Sequence, residues 1–459
     1  MQYAVVQADS TLVIGISGTS MQTNTSPGNT PPATSWELWS WAFYDFANSG
    51  YTTVVMTTIY SAYFVGVMAT DVDRQSPGSA TLLWTGAIAL ANFIVLIAGP
   101  VVGAVADHRA SKKAFLLIST ITCVAATALL ALAAPGQLWL AFPLLVLSAI
   151  AFASGENLIA AFLPEIAASG SMGKISGYGW SLGYFGGLLT LGLCLAYITW
   201  SSARGGTAES YVPVTLLITA IIFALTALPT FLWLRERAQP TPLAAGGSYI
   251  REGFNAVRQT LRRASQLPDL FRFLLCLTIY QAGVATVVVV AAIYAQEVMG
   301  FDSQDLIILI MVVNFTAALG AFAFGFVQDR FGSVPSLACG LLLWIIAGLL
   351  TITADTSADF WFAGNLLGLA LGATQAGGRA LIGEFTPVSH SGEIFGLWGF
   401  CARTAAIIGP LSYGVISSVT QGDHRLALLS TLTFFILGLA VLLTVNESRG
   451  IADRDRAFN

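Results

Sequence analysis

Arg403 stands in the apolar run GEIFGLWGFCARTAAIIGP (392–410), and Glu156 in AFPLLVLSAIAFASGENLIA (141–160). A charged side chain at the centre of a bilayer costs at least about 2.5–3.5 kcal/mol, so such groups usually face a cavity and a partner. Asn48, Gln281 and Gln375 are neutral polar residues in comparable surroundings. Asn48 lies nine residues after Trp39, Glu156 nine before Glu165, Gln281 nine after Arg272, Gln375 nine before Glu384 and Arg403 nine after Ile394, all near the same ends of their stretches. At about 1.5 Å per helical residue that is roughly 13 Å, near the midplane of a hydrocarbon core about 30 Å thick. One cation, one carboxylate and three amides at a common depth can bind a small polar solute. Arg403 would face a carboxylate or another anionic group. Glu156 would balance it, bind an amine or carry a proton, and the amides would supply neutral hydrogen bonds. The alternative is a purely structural Glu156–Arg403 pair between two helices. Asp45 is shallower, about 9 Å from the same end. It suits a gate or a proton site, or a hydrogen bond to nearby helix backbone. Arg379 lies near the end of its stretch, where it can pair with Glu384 or extend its head group to the surface.

Other chemistries have no residues to carry them. There is no GxSxG and no P-loop GxxxxGK[ST], so neither a nucleophile–base pair nor direct use of ATP can be read. His108, His390 and His424 fall in loops, and the five Cys (123, 194, 276, 339, 401) fall in apolar stretches without CxxC spacing. We expect no metal, no cofactor, no nucleotide and no nucleic acid. A lipid-modifying enzyme would need convergent acids, a metal site or a long catalytic loop.

The elements that must position these residues follow from composition. Only 10% of the 459 residues are charged and 56% are hydrophobic, whereas a soluble domain carries about 25% charged residues. Twelve apolar segments follow one another, roughly 39–68, 80–106, 114–134, 138–163, 176–199, 212–234, 273–295, 306–327, 334–353, 360–383, 394–419 and 427–446. Their runs are continuous rather than alternating, so they predict membrane-spanning helices and not a β-barrel. The fold class expected is an all-α membrane protein of twelve transmembrane helices in two six-helix halves, 39–234 and 273–446. With the N-terminus inside, fifteen of the twenty Lys and Arg fall in inside loops and three in outside loops. That bias places both termini in the cytoplasm.

Residues 1–38 hold no Lys or Arg, and 22–35 are polar and Pro-rich, so a disordered tail is expected, with Met21 a possible true start. The segment 235–272 is a cytoplasmic linker. Phe254, Val257 and Leu261 share one helical face in it, while Arg251, Arg258 and Arg262 lie largely off that face. The pattern suits either a helix on the membrane surface or a basic connection. Residues 447–459 form a cytoplasmic tail. Gly99–Gly103, Gly179–Gly183–Gly187 and Gly364–Gly368–Gly372 are spaced four apart for close helix packing or hinges.

The halves repeat. At a shift of 219, AFLPEIAASGSMGKISG (161–177) falls on ALIGEFTPVSHSGEIFG (380–396), pairing Glu165 with Glu384 and Glu156 with Gln375. At 222, GAVADHR (103–109) falls on GFVQDRF (325–331), pairing Gly103 with Gly325 and Asp107 with Asp329. At 233, Asn48 meets Gln281. Parallel repeats of this kind are a transporter plan, with binding at the midplane between the halves. The repeated turn reads as helix capping or as a latch that breaks when one side opens. Its members are Gly103, Asp107, Arg109, Gly325, Asp329 and Arg330, with Glu165 and Glu384.

GxxxDR-x-G between spans 2 and 3 and between 8 and 9 resembles the hallmark of the major facilitator superfamily. The second copy is intact (Gly325, Asp329, Arg330, Gly332). The first has His108 for Arg and Ala110 for Gly, leaving its cation to Arg109 or Lys112. YDFANSGY (44–51), AFLPEIA (161–167) with GYGWSLGYFGG (177–187), and QAGGRALI (375–382) with GEIFGLWGFCARTAAIIGPLSYG (392–414) resemble the "unknown major facilitator" family. Fungal members of that family are autophagy-related vacuolar amino-acid effluxers. The resemblance implies secondary transport of amino acids by alternating access, with spans 1, 4, 7 and 10 lining a central cavity. Proton coupling through Glu156 or Asp45 would suit it. Export of drugs or lipids, and a non-transporting sensor, are the alternatives. The partners expected are a small-molecule substrate and the bilayer, with the protein acting as a monomer. The location expected is a bacterial inner membrane, or a vacuolar membrane in a eukaryote.

Overall fold

The computed structural model describes residues 32–76, 79–168, 170–240, 248–262, 266–297, 299–301, 303–420 and 424–458. Most of the Pro-rich tail, including Met21, lies outside the described residues. The first helix begins at Ser35 rather than 39, because Thr34 caps it. Thr34 Oγ1 accepts from the Glu37 amide at 3.3 Å, and the Glu37 carboxylate accepts from the Thr34 amide at 2.8 Å. This reciprocal pair satisfies two amides that a helix start leaves free.

Among the described residues there are twelve long helices and no strand. They are span 1 (Ser35–Met68), span 2 (Ser79–Arg109), span 3 (Lys112–Leu130), span 4 (Leu138–Ala160), span 5 (Met172–Ser202) and span 6 (Ala208–Trp233). Then follow span 7 (Pro268–Glu297), span 8 (Ser303–Phe331), span 9 (Ser333–Thr353), span 10 (Ser357–Glu384), span 11 (Ser391–Val419) and span 12 (His424–Leu442). Eleven of them are long and apolar enough to cross a membrane. Span 10 is long enough at 28 residues, but Asn365, Gln375, Arg379 and its glycines dilute its hydropathy. Those same residues let it line an interior. Span 1 opens into wider π turns at Thr52–Thr57 and Phe64–Met68.

Two helices lie outside the spans. Tyr249–Arg262 is the linker helix. Residues Glu447–Phe458, expected as a tail, form a helix. Arg449 ties it to span 7 through Asp269, with Nε 2.5 Å from Oδ2.

Burial follows the repeat. One apolar core gathers residues from Trp41 to Leu234. A second gathers residues from Leu267 to Val445, joined by Ala160 and Ala161. A small cluster of Tyr184, Ala317, Ala318, Ala321 and Ala376 joins them where span 5 meets spans 8 and 10. Phe93, Ile97, Ile118, Ile121, Leu225 and Leu411 are exposed on the outside, as a lipid-facing surface requires.

Glycines set the approach of the halves at the Lys/Arg-rich end. A Cβ on Gly103 of span 2 would overlap the Gly392 carbonyl of span 11. A Cβ on Gly177 of span 5 would lie 2.5 Å from the Ala321 carbonyl of span 8. By contrast, nothing lies within 4 Å of a Cβ on Gly192. Gly103→Ala is therefore expected to lower stability by about 1–3 kcal/mol through overpacking, while Gly192→Ala leaves it unchanged or raised. Thermal unfolding of the two purified variants would separate them.

Candidate solute site and the closed end of the bundle

Polar residues singled out by the sequence pair with one another at the boundary between the halves. At mid-depth, Arg403 of span 11 donates from Nη2 to Glu156 Oε2 of span 4 at 2.6 Å. The pair is accessible, with side-chain exposures of 18% for Arg403 and 30% for Glu156. Within the second half, Gln281 Nε2 of span 7 donates to Gln375 Oε1 of span 10 at 2.7 Å. Asn48 is buried in span 1, but its side-chain oxygen has no protein partner among the described residues and joins neither pair.

Asp45 and Arg379 form a second ion pair, Nη1 to Oδ2 at 2.6 Å, between spans 1 and 10. It is closer to the Lys/Arg-rich end and far less exposed, at 11% and 3%. This corrects both expectations for Arg379, which neither reaches Glu384 nor extends to the surface. Five residues separate Arg379 from Glu384, so the two side chains leave the helix about 140° apart. Arg379 also donates to the Ser176 hydroxyl (3.1 Å) and carbonyl (2.9 Å). Its guanidinium lies between the rings of Trp41 (4.7 Å) and Trp180 (5.3 Å). A carboxylate, two indole faces, a hydroxyl and a carbonyl thus surround one cation near the seam.

The repeated turn is built as a crossed pair of caps. Asp107, at the end of span 2, accepts from the amides of Gly392 (3.0 Å) and Glu393 (2.9 Å) at the start of span 11. Asp329, at the end of span 8, accepts from those of Gly173 (2.8 Å) and Lys174 (3.1 Å) at the start of span 5. A carboxylate there satisfies orphan amides and meets the positive end of the helix dipole. The shift of 219 that relates 173–174 to 392–393 is the one found in the sequence, so each half caps the matching helix of the other.

Two latch residues must be reassigned. Arg109 is exposed and lies over the Tyr249 ring at 5.2 Å. Arg330 is exposed over Phe331 at 5.4 Å. Neither pairs with its neighbouring Asp, whose oxygens are turned to the opposite half. The cation at the first repeated turn is Lys112, which is fully buried. Its Nζ meets Ser391 Oγ (2.6 Å), Asp107 Oδ1 (3.4 Å) and the Glu165 carboxylate. Glu384, the counterpart of Glu165, instead accepts from Ser333 Oγ at 2.8 Å. Behind the latches, Glu236 accepts from the Lys112 and Lys113 amides, and Glu447 from those of Ser333 and Val334. Burial pushes the Glu236 carboxyl above its ordinary value, against the pull of those amides and the Lys112 charge.

Asp45–Arg379, Lys112 and both caps join helices across the seam at the Lys/Arg-rich end, while Glu156–Arg403 is the more exposed pair. Ser176, Trp41 and Trp180 were missed from the sequence. Nothing in their spacing pointed to Arg379, because helix rotation and packing bring them to it.

Residues 74–455 match the vacuole effluxer Atg22-like family. The chain belongs to that family. It is 28% identical over 411 residues to the uncharacterised MFS-type transporter YxiO of Bacillus subtilis, covering 89% of this chain and 94% of that one. It is 25% identical over 301 residues to autophagy-related protein 22-1 of Aspergillus niger, covering 61% of this chain and 48% of that protein. The chain therefore spans about half the length of such fungal relatives. Among solved structures, the human organic anion transporter MFSD10 superimposes with a TM-score of 0.69 at 15% identity, covering 89% of this chain and 99% of that one. The fucose:proton symporter FucP of E. coli gives 0.69 at 16%, covering 90% and 98%. The fold is that of the major facilitator superfamily. YxiO, MFSD10 and FucP are transporters, and the chain is a multi-pass membrane protein with their fold.

Proposed function

We propose that this member of the Atg22-like family carries small zwitterionic solutes, amino acids in the first place, by alternating access. The observation that carries the reading is the accessible Glu156–Arg403 pair between the halves. An amino acid offers the same two charges in reverse order. Its carboxylate can take the place of Glu156 on Arg403, and its ammonium the place of Arg403 on Glu156. Binding then exchanges one inter-half bond for two bonds to solute, which loosens the seam without leaving a buried charge unpaired. Gln281 and Gln375 supply neutral hydrogen bonds at similar depth, and Asn48 offers an acceptor without a partner among the described residues.

Asp45 acts as the gate beneath the site, through Arg379, and the crossed caps are the latch that must open for the far side. Glu156 is the better proton carrier of the two acids because it is the more accessible. The Lys/Arg-rich end faces the cytoplasm of a bacterium and both termini lie there. The direction is efflux, as the family description suggests, and the unit is a monomer. A midplane Arg disfavours a bulky cationic drug.

The test is counterflow in proteoliposomes loaded with unlabelled amino acids. Labelled counterparts of a subset are expected to enter. Failure of all of them to enter, with protein that is folded by thermal unfolding, would discard amino acids as substrates. A rate that ignores an imposed pH gradient would remove the proton.

A further inference from the structure

The linker helix Tyr249–Arg262 carries three distinct stripes. Gly253 and the buried Thr260 face span 2, where a Cβ on Gly253 would lie 2.9 Å from Val105 and 3.1 Å from the Val101 carbonyl. Phe254 and Leu261 form a second stripe and are 58% and 51% exposed, with Val257 between them. Arg251, Arg258 and Arg262 form the third, within about 40° of one another at 100° per residue. All three are exposed, and none makes an ion pair among the described residues. Arg109 adds a fourth guanidinium at the start of the helix, over Tyr249.

We propose that this helix is a binding surface for anionic phospholipid head groups. The apolar stripe would enter the acyl boundary while the neighbouring basic stripe stays at head-group level. Both stripes run the length of a helix of about 20 Å, parallel to each other. That arrangement suits a lipid surface better than a compact pocket for one phosphate. The packed stripe fixes the helix to span 2, so its depth is set by the bundle. The complement is a negative surface, because three unpaired guanidinium groups on one side repel anything basic. Glu252 leaves the helix about 80–120° from the basic stripe, accepts from Asn255, and makes no ion pair with the three Arg among the described residues. The inference is independent of which solute the protein carries.

The test uses the full chain in mixed micelles holding equal phosphatidylglycerol and phosphatidylcholine with the same acyl chains. Retained lipid is counted by native mass spectrometry. The wild type is expected to enrich phosphatidylglycerol, and added NaCl to reduce the enrichment. The triple variant Arg251→Gln, Arg258→Gln, Arg262→Gln should lose about fivefold in preference for each charge removed. The triple Lys variant should keep most of it, since the surface reads charge. Thermal unfolding of both variants checks that they are folded. The proposal is overturned if the wild type shows no preference or if the Gln variant enriches phosphatidylglycerol as the wild type does. Loss of the preference in both the Gln and the Lys variants would also overturn it, since that would mark a guanidinium-specific pocket. So would its abolition by inorganic phosphate at an ionic strength where NaCl has little effect.

Discussion

Counterflow is expected to fall to the level of empty liposomes in Arg403→Ala, and nearly so in Glu156→Gln. With the solute bound, its two charges and these two side chains are closed off from water, and truncating one partner of such a bond costs about 2–5 kcal/mol of binding. That is a loss of roughly thirtyfold or more in affinity. The same changes should cost less stability than their position near the midplane suggests. Glu156 is 30% exposed and Arg403 18%, so the charge left behind can be hydrated. Activity and thermal unfolding of the same preparation are thus expected to separate. A variant that loses transport together with its fold would instead mark the pair as structural.

Arg379→Ala is expected to do the opposite, with the largest stability loss of any substitution considered. Arg379 is 3% exposed and holds Asp45, the Ser176 hydroxyl and the Ser176 carbonyl together at the seam. Removing it leaves Asp45 buried without its counter-charge, at about 3–5 kcal/mol. Asp45→Asn should be milder, because a neutral amide can still accept from the guanidinium. In a double-mutant cycle of Asp45→Asn with Arg379→Met, the two losses should fall short of additivity by about 0.5–3 kcal/mol. Chemical unfolding in detergent measures it. Strict additivity would mean that the pair is not coupled.

The difference between the two ion pairs explains what could be read from the sequence. The spans were legible because a bilayer demands long continuous apolar runs, and the linker helix because its apolar and basic residues keep a helical period. Depth along each span was legible too, since the rise per residue is constant. Glu156 and Arg403 were matched that way; Gln281 and Gln375 were placed at the same depth but not as partners of each other, and Asn48, placed there too, joins neither pair. Arg379 was misread because a nearby acid, Glu384, offered a partner along the chain. Its actual partner is 334 positions away on span 1, and helix rotation rather than spacing decides which one it faces. Arg109 and Arg330 were misread for a related reason. The motif places them next to an acid, but Asp107 and Asp329 are turned to amides of the other half. Only the packed seam shows that Lys112 is the buried cation. The tenth span was read from its apolar run even though Asn365, Gln375 and Arg379 lower its hydropathy.

The most direct measurement on the midplane site is counterflow of one transported amino acid against two analogues, its decarboxylated amine and its deaminated acid. In the wild type only the zwitterion should exchange well, because each analogue leaves either Arg403 or Glu156 unmatched. In Arg403→Gln the amine should recover relative to the zwitterion, and in Glu156→Gln the acid should. If Arg403→Gln carries the zwitterion as fast as the wild type does, with both analogues still excluded, the solute does not bind between Glu156 and Arg403.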